Sequence, residues 1–405
     1  MNSLTLAARS LRHKPLAATL NLLLMAVGIA MMTFVLSASQ QLADNALRDA
    51  RGIDLVVGAK GSPLQLILSS IYHIDIPTGN IPLSTQTELA KNRLVKKVIP
   101  LALGDSYAGF RIVGTTPDYI GHYGGVLAQG KLFDGPMQVV LGAQAGARTK
   151  AALGATFAGS HGLAEAGETH GGAPYVVAGI LKPTGTVLDR LVLTPVSSVW
   201  QVHEAAHDSD ASDASGHQEK TPIAAERELT ALLVQYASPL AAMSMPRMIN
   251  SQSQLQAAQP AFEAAKLFRL LGVGVDVLRA VSAIVLLSAA LSMFVSLYNA
   301  LEERKTDLAI VRMLGAPPAT LLSLLLVEGM LLALLGALFG WLIGHAAVGL
   351  VGSMLLDDQG LAMSGWKVAP DEAWLALVAM VVGLAAAALP ALRAYRTDIA
   401  ETLAH

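Results

Sequence analysis

The sequence contains no cysteine and few charged residues, which make up only 14% of its 405 positions. The absence of cysteine excludes disulfides, thiolate metal ligands and cysteine nucleophiles. The charged fraction lies well below the roughly 25% of an ordinary soluble domain, and the net charge of −2 gives no indication of a nucleic-acid partner. Aromatic residues are also scarce, at 5%, whereas hydrophobic residues reach 53%. This composition indicates a chain that is integral to a membrane.

Four apolar stretches are long enough to cross the hydrocarbon layer of a bilayer, which takes about 20 residues. They are residues 16–38, 278–298, 321–350 and 373–392, and the overlong third stretch is expected to tilt. The first stretch exceeds the roughly 7–15 apolar residues of a signal peptide, so we interpret it as an uncleaved anchor. The sequence therefore predicts an α-helical membrane protein with four transmembrane helices.

Positive residues in the short connecting segments indicate the orientation, since Lys and Arg are concentrated in cytoplasmic loops. They lie in the N-terminal segment, in residues 299–320 and in the tail 393–405: Arg9, Arg12, Lys14, Arg304, Lys305, Arg312, Arg393 and Arg396. The outer loop 353–372 contains a single positively charged residue, Lys367. We expect both termini in the cytoplasm of a bacterial cell, with the chain in the inner (plasma) membrane and residues 39–272 in the periplasm or extracellular space.

The segment 39–272 reads as an inserted α+β domain. Short β-type runs such as 53–57, 138–141 and 175–180 alternate with helical stretches and Gly/Pro turns. Its two ends, 39–50 and 262–271, are predicted to continue the neighbouring membrane helices as stalks. Residues 1–15 are predicted to form an amphipathic helix on the cytoplasmic membrane surface.

The segment 203–221 is rich in Asp, Ser, Ala and His, and we interpret it as a mobile loop. Within it, His203, Glu204 and His207 match the H-E-x-x-H spacing of zinc proteases, in which two histidines bind the metal and the glutamate activates water. A catalytic site needs rigid support, which this composition does not provide. Two alternatives to a plain solvated loop stay open: a loose metal site using His203, His207 and His217, and a membrane metalloprotease.

The third apolar stretch contains two ionisable residues and a series of regularly spaced glycines. Glu328 is a carboxylate within the predicted span, which favours a partner inside the protein or a position reaching back to the inner interface. Gly336, Gly340 and Gly344 recur at every fourth residue, a spacing that lets another helix approach closely. His345, near the outer end, is interpreted as an interfacial residue.

The chain carries no nucleotide-binding loop of its own. Residues 125–131 match the spacing of a phosphate-binding loop, but Leu132 stands where the Mg²⁺-binding Ser or Thr is needed. The segment also falls in the outer domain, away from cytoplasmic ATP. The sequence therefore predicts a chain without a bound nucleotide cofactor and without a motor of its own.

The segment 302–316 is a charged stretch directly after the second span, with Leu308, Val311 and Leu314 at helical spacing. It resembles the E-R-x-x-E-I-x-x-L-R-x-x-G-A segment of the FtsX-like permeases, the MacB and LolC/LolE type of ABC transporter subunit. Residues 6–15, 177–186, 327–329 and 389–396 are also similar to segments of that family. Asp307, Leu308 and Val311 are mild departures from its pattern.

The resemblance implies the permease subunit of an ABC transporter, a homodimer working with two copies of a separate ATPase subunit that binds ATP and Mg²⁺. It implies that 299–320 is the ATPase-coupling segment, with Glu303, Arg304, Asp307, Arg312 and Gly315 as the residues carried over. It further implies mechanotransmission, in which ATP-driven motion reaches the outer domain for efflux or extraction, with a periplasmic adaptor or binding protein as a further partner. The alternative within the family is an FtsX-type regulator of a cell-wall hydrolase.

Overall fold

The structure is a computed structural model of the chain. It describes residues 15–160, 174–202, 227–303, 317–359 and 363–396, together with Thr5, Ala7, Arg9, Arg12, Ile310, Met313 and Gly315. The chain divides into two compact units, a helical unit (Met1–Ala43 with Arg269–His405) and an outer unit (Asp44–Phe268). The predicted surface helix 1–15 lies mostly outside the described residues, and the loop 203–221 lies wholly outside them.

Helices and strands alternate irregularly along the chain. The helices are α1 (Pro15–Asp49), α2 (Pro63–Ser70), α3 (Ser84–Ala90), α4 (Pro117–His122), α5 (Ala143–Thr149), α6 (Ala241–Asn250), α7 (Pro260–Glu303), α8 (Pro318–Gln359) and α9 (Ala373–Arg396). The strands are β1 (Leu55–Ala59), β2 (Ile81–Pro82), β3 (Val95–Tyr107), β4 (Phe110–Thr115), β5 (Leu127–Gly130), β6 (Gln138–Leu141), β7 (Thr156–Phe157), β8 (Tyr175–Leu181), β9 (Leu191–Pro195), β10 (Glu228–Leu229), β11 (Ala231–Tyr236) and β12 (Leu255–Ala258). Short 3₁₀ turns cover Val187–Arg190 and Pro370–Glu372.

Among the residues that the structure describes, four helices are long and apolar enough to cross a membrane, which confirms the predicted fold class. These candidate spans are Pro15–Asp49, Pro260–Glu303, Pro318–Met354 and Pro370–Arg393. Three of the four helices, α1, α7 and α8, begin at a proline. Proline suits the first helical position, where its missing N–H would have had no partner in the helix.

The helical unit is held together by a cluster of alanine, leucine, methionine and isoleucine side chains. Its central cluster joins Met25 and Ile29 of α1 to Met293 of α7, Leu332 of α8 and Ala379 of α9. Alanine is frequent in this cluster, because lipid is as apolar as leucine and close van der Waals packing has to hold the helices together.

The three glycines of α8 form the surface on which α1 lies. A Cβ atom added at Gly336 would lie 2.6 Å from Met25 Cγ, and one at Gly340 would lie 2.6 Å from the carbonyl oxygen of Ala26. At Gly344 it would lie 2.7 Å from Thr33 Cβ. Each glycine thus meets α1 one turn further along, and these contacts leave no room for a side chain.

The outer unit is built on one mixed sheet with strand order β12-β1-β11-β3-β4-β9-β6-β8-β5, and β7 pairs with β8 outside this path. The β4–β9 and β6–β8 pairs are parallel, and the other pairs in this sheet are antiparallel. β2 and β10 form a separate antiparallel pair. Apolar residues of the strands, including Val56, Leu101, Val113 and Leu233, are buried in a cluster with Tyr119 of α4.

Two of the predicted strands correspond to β6 and β8, and the third corresponds to β1 but begins two residues later than predicted. The run 53–57 is predicted as a strand, whereas β1 covers Leu55–Ala59. The reason is the turn that follows α1, where Gly52 has a φ of +77° and the N–H of Ile53 donates to the carbonyl oxygen of Ala50. The turn consumes the first two residues of the apolar run, so the strand starts later.

We expect Gly340→Ala to loosen the contact between α1 and α8. The added methyl group would overlap the carbonyl oxygen of Ala26, and overpacking of this kind costs about 1–3 kcal/mol. Gly274→Ala in α7 is the matched control, since nothing lies within 4 Å of where its Cβ would be and alanine favours a helix. Thermal unfolding of the detergent-solubilised protein should show a lower midpoint for Gly340→Ala only; equal midpoints would contradict the packing described above.

Candidate functional site

The predicted coupling segment is bounded by the end of α7 and the start of α8. Glu303 is the last residue of α7, and α8 begins at Pro318. Gly315 has a φ of +97°, a left-handed conformation that favours glycine, and nothing lies within 4 Å of where its Cβ would be. The other three residues assigned to the coupling role, Arg304, Asp307 and Arg312, lie outside the described residues.

The helix ends that flank this segment are packed together. Leu301 of α7, Leu321 and Leu325 of α8 and Ala391 of α9 form a buried cluster of their own. Three helices therefore meet where the coupling segment begins and ends, and a force applied to the segment would act on all of them.

A polar contact reinforces the same end of the helical unit. Arg393 of α9 donates a hydrogen bond to the hydroxyl of Tyr298 on α7, and its guanidinium lies 5.0 Å from the centre of the Tyr298 ring. A cation over an aromatic face is attracted by the ring quadrupole. This contact joins α7 to α9 just over one turn before Glu303.

Glu328 of α8 is buried, with 5% of its surface exposed. The adjacent Gly329 contacts α9, where its Cβ would lie 2.8 Å from Ala387 Cβ and 3.0 Å from the carbonyl oxygen of Gly383. The carboxylate is therefore enclosed by protein instead of reaching to the membrane surface, in keeping with the cost of exposing a charge to lipid.

A groove of about 870 Å³ runs between α1 and α7. Its lining includes a row of polar residues on α7: Ser288, Ser292, Ser296, Asn299 and Glu303. Asn21 of α1 is 1% exposed and accepts a hydrogen bond of 2.8 Å from Ser292, while its Nδ2 has no hydrogen-bond partner among the described residues. A buried amide N–H is costly without an acceptor, so this groove has unsatisfied hydrogen-bonding capacity.

A second polar cluster lies at the other end of α8. His345 Nε2 is 2.7 Å from Glu372 Oε2, and the same oxygen accepts a hydrogen bond of 2.8 Å from Trp341 Nε1. His345 and Glu372 are 6% and 5% exposed. His345 is thus buried inside the helical unit and is not a residue facing the interface, because α8 turns it toward the chain that precedes α9.

In the outer unit, the last turn of α1 is hydrogen-bonded on several sides. Asp49 Oδ1 accepts a hydrogen bond of 2.9 Å from the N–H of Val187, and the carbonyl oxygen of Asp49 accepts one of 2.8 Å from Tyr123. Arg48 donates to the carbonyl oxygen of Gly185 at 2.5 Å, and Tyr72 donates to that of Ala46 at 3.2 Å. The end of α1 is therefore fixed to the segment that leads from β8 to β9.

Burial changes the acidity of this cluster, which lies beyond the predicted span 16–38. Desolvation raises the pKa of Asp49 to about 6, although the Val187 N–H and the neighbouring Arg190 and Arg48 act in the opposite direction. The pKa of Tyr72 rises to about 12 for the same reason. The pKa of His73 is lowered by burial and by Arg111 and Arg190, so this histidine is neutral at pH 7.

The described residues contain no group of three or more His, Asp or Glu side chains that could hold a metal ion. The candidate ligands His203, His207 and His217, together with Glu204, lie outside the described residues. The segment 125–131, which matches the spacing of a phosphate-binding loop, contains strand β5 (Leu127–Gly130). Its Lys131 forms a salt bridge of 2.8 Å with Asp134.

The fold and these sites define a class of membrane protein, a permease whose described part has four apolar membrane-length helices and an α/β domain between α1 and α7. The MacB-like periplasmic core domain matches residues 18–263, and the FtsX-like permease C-terminal domain matches residues 279–399. The chain belongs to the FtsX-like permeases with a MacB-like core domain, the non-catalytic membrane component of ABC transporters.

Two solved structures are similar to part of the chain. The periplasmic region of MacB from Actinobacillus actinomycetemcomitans is 14% identical, with a TM-score of 0.35, and the match covers 55% of this chain and 95% of that one. The extracellular domain of the noncanonic ABC-type transporter YknZ from Gram-positive bacteria is also 14% identical, with a TM-score of 0.31 and coverage of 51% and 99%. No curated protein matches the chain significantly.

Sequence reasoning identified the glycines and Glu328 but missed the polar contacts of the helical unit. Four polar residues in or beside apolar runs each have a hydrogen-bond partner far away in the sequence: Asn21, Ser292, Gln41 and Glu372. Asn21 and Ser292 are isolated polar residues within predicted spans, a signal that could have found them, since such residues usually face the protein interior. Gln41 and Glu372 lie just outside the predicted spans, where this signal does not apply.

We expect the stability of the outer unit to fall as the pH rises from about 4 to about 6. The folded form holds the Asp49 proton more tightly than the unfolded chain, so this contribution is complete below the unfolded pKa and is lost through the folded value of about 6. The loss amounts to at most about 3 kcal/mol. Hydrogen exchange of β9 and β11 amides, corrected for intrinsic rates, should show this slope in the wild type and a flatter one in Asp49→Asn; an unchanged slope would contradict the assignment.

Proposed function

We propose that this chain is the membrane subunit of an ABC transporter in which a separate ATPase drives motion of the outer domain. ATP hydrolysis in the cytoplasm would act on the segment 299–320, and the motion would serve export or extraction of a substrate outside the membrane. The observation that carries the proposal is the packed junction of α7, α8 and α9 at both ends of that segment.

The segment itself has the chemistry of a docking element. Apolar residues at helical spacing can lie in a groove of a partner, while Glu303, Arg304, Asp307 and Arg312 would fix its register through charge pairs. Gly315 would end the element, because its left-handed backbone stops a helix before Pro318. ATP and Mg²⁺ would bind the partner, with two ATPase copies for a dimeric permease.

Two helices are suited to transmit the motion. Helix α1 is continuous over Pro15–Asp49 and α7 over Pro260–Glu303. An unbroken helix is stiff along its axis, because each residue is hydrogen-bonded to the next turn. A shift at Glu303 would therefore reach Pro260 without passing through a loop.

A second copy of the chain would complete the membrane part. In one copy, α7 exposes a face of large apolar residues that includes Ile284, Leu287, Leu291 and Val295. The polar row Ser288, Ser292 and Ser296 runs beside it at small-residue spacing, which permits close approach of another helix. A homodimer that packs α7 against the α1–α7 groove would cover both features and offer acceptors to Asn21.

The positive residues support an orientation with both termini and the coupling segment in the cytoplasm, and the outer unit in the periplasm or extracellular space. In a bacterium with an outer membrane the chain would lie in the inner membrane. A periplasmic adaptor or binding protein would then meet the outer unit.

Reversing the charge of the coupling segment should disconnect the ATPase. We expect Arg304→Glu with Arg312→Glu to abolish copurification with the ABC ATPase and its stimulated activity, since both positions would now repel an acidic docking groove. The matched control is Lys182→Glu with Arg247→Glu, two exposed residues of the outer unit, which changes the net charge equally. Normal copurification and ATPase stimulation in the coupling variant would refute the docking assignment.

The absence of cysteine allows a direct test of the dimer. Leu291→Cys, 64% exposed on α7, should cross-link between two copies in native membranes, whereas Val381→Cys, 56% exposed on α9, should not. Denaturing electrophoresis after oxidation would report the product. Equal cross-linking at both positions, or only at Val381→Cys, would show that α7 is not the dimer surface.

A further inference from the structure

A pocket of about 570 Å³ lies between α8 and the first turn of α9, and we call it the α8–α9 pocket. Ile29 of α1 contributes to its lining. Apart from Trp341 and Glu372, the lining consists of aliphatic residues, among them Ala337 and Ala376. Its volume falls within the range of about 300–1,000 Å³ that is typical of sites for one small ligand.

The pocket is a gap between two helices that touch closely elsewhere. A Cβ atom added at Gly383 of α9 would lie 2.5 Å from Ala333 Cβ, and one at Gly329 of α8 would lie 2.8 Å from Ala387 Cβ. At the pocket, α8 and α9 instead present alanines, including Ala376, whose methyl groups leave the space between them unfilled. The space is therefore part of the way in which these helices pack.

The two polar side chains of the lining have their partners within the protein. Glu372 accepts a hydrogen bond of 2.8 Å from Trp341 Nε1 and one of 3.0 Å from the N–H of Ala369, and its carboxyl group lies 2.7 Å from His345 Nε2. Over the described part of the chain, neither Trp341 nor Glu372 has a buried polar atom without a partner. A polar or charged ligand would lose its hydration without gaining a free partner here. The pocket is therefore suited to an apolar ligand.

The position of the pocket along α8 places it beside lipid. Trp341 lies about 30 Å along the helix from Leu321, which is about the thickness of the hydrocarbon layer, and Leu334 lies about 10 Å before Trp341. Leu338, at the rim, is 52% exposed. Trp374, next to the lining residue Ala373, is 65% exposed, and tryptophan is enriched where a membrane meets water. The pocket thus runs from the hydrocarbon interior to its boundary.

We propose that the α8–α9 pocket binds one acyl chain of a bilayer phospholipid, with the methyl end of the chain near Leu334 and its ester end near Trp341. Apolar surfaces in lipid have no hydrophobic drive to associate, but an empty gap forfeits the van der Waals contacts of the atoms that line it. A flexible acyl chain that enters from the rim restores those contacts. Its ester and headgroup stay at the boundary, beside Trp374.

This site is independent of the transport cycle. In the orientation proposed above the bound phospholipid belongs to the outer leaflet, and that detail alone rests on the proposed function. The acyl chain itself needs neither an ATPase nor a substrate. A failure of the labelling experiment below therefore concerns the pocket, and a failure of ATPase coupling leaves the pocket assignment standing.

The test is photolabelling of the full-length protein in nanodiscs that contain a phospholipid with a diazirine on one acyl chain. A diazirine near the methyl end should label Leu334, and one near the ester end should label Trp341. Val381 of α9, which is 56% exposed and outside the lining, reports the ordinary contact with bulk lipid. Because a concave site contacts a ligand on several sides, we expect the pocket to be labelled about threefold or more above Val381, measured by peptide mass spectrometry.

One substitution blocks the pocket and a matched one does not. Ala376 is exposed at the pocket, so Ala376→Phe places a phenyl group in this space, and labelling of Leu334 and Trp341 should fall by about threefold or more. Ala385→Phe makes the same change at an exposed alanine of α9 outside the lining, and it should match the wild type. Ala376→Leu gives the same blockade with a smaller side chain if Ala376→Phe does not fold.

Three results would overturn the proposal. The first is equal labelling of the pocket and Val381 in the wild type, or an equal loss in Ala376→Phe and Ala385→Phe. The second is labelling of the pocket in nanodiscs with one copy of the chain that disappears in nanodiscs with two, since the occupant would then be the second copy. The third is stronger labelling by a diazirine fatty acid than by the phospholipid, because the ligand would then be a free acid.

Discussion

A polar group enclosed among apolar helices needs a partner within the protein, and the helical unit is organised by this constraint. Outside water, an unpaired donor or charge is costly, and several buried polar side chains pair with a group on another helix or on the chain between helices. Asn21 with Ser292 joins α1 to α7, and His345 with Glu372 joins α8 to the start of α9. The apolar residues supply close packing, while these few pairs select one arrangement of the helices among several of similar packing.

Helix α1 takes part in several of these contacts. It lies on the three glycines of α8, its Gln41 is bonded to Ser364, and its last turn is hydrogen-bonded to Val187 and Gly185 in the outer unit. The contacts of Gln41 lie in the helical unit and those of Asp49 and Arg48 lie in the outer unit, so each set fixes α1 within its own unit.

Much of the helical unit was predictable because lipid imposes simple rules on a sequence. Length and apolarity gave the four helices, and the spacing of Gly336, Gly340 and Gly344 indicated a close helix contact, although it did not say that the partner is α1 of the same chain. The strand at 138–141 was predicted with its bounds, but β1 was shifted by the turn at Gly52. Asn21, Gln41 and Glu372 were missed, since each is meaningful only beside a partner that periodicity does not reveal.

The sequence by itself determined the number of membrane helices, the insertion of an α/β domain after the first, and the family, since these follow from the period and length of apolar runs and from ordered motifs. Only the tertiary structure decided which helix lies on the glycines, that α1 extends to Asp49, and that His345 is buried beside Glu372. The physical reason is distance: hydrophobic patterning is a local property of the chain, whereas a hydrogen bond between residues 323 positions apart, as for Gln41 and Ser364, depends on how the helices pack.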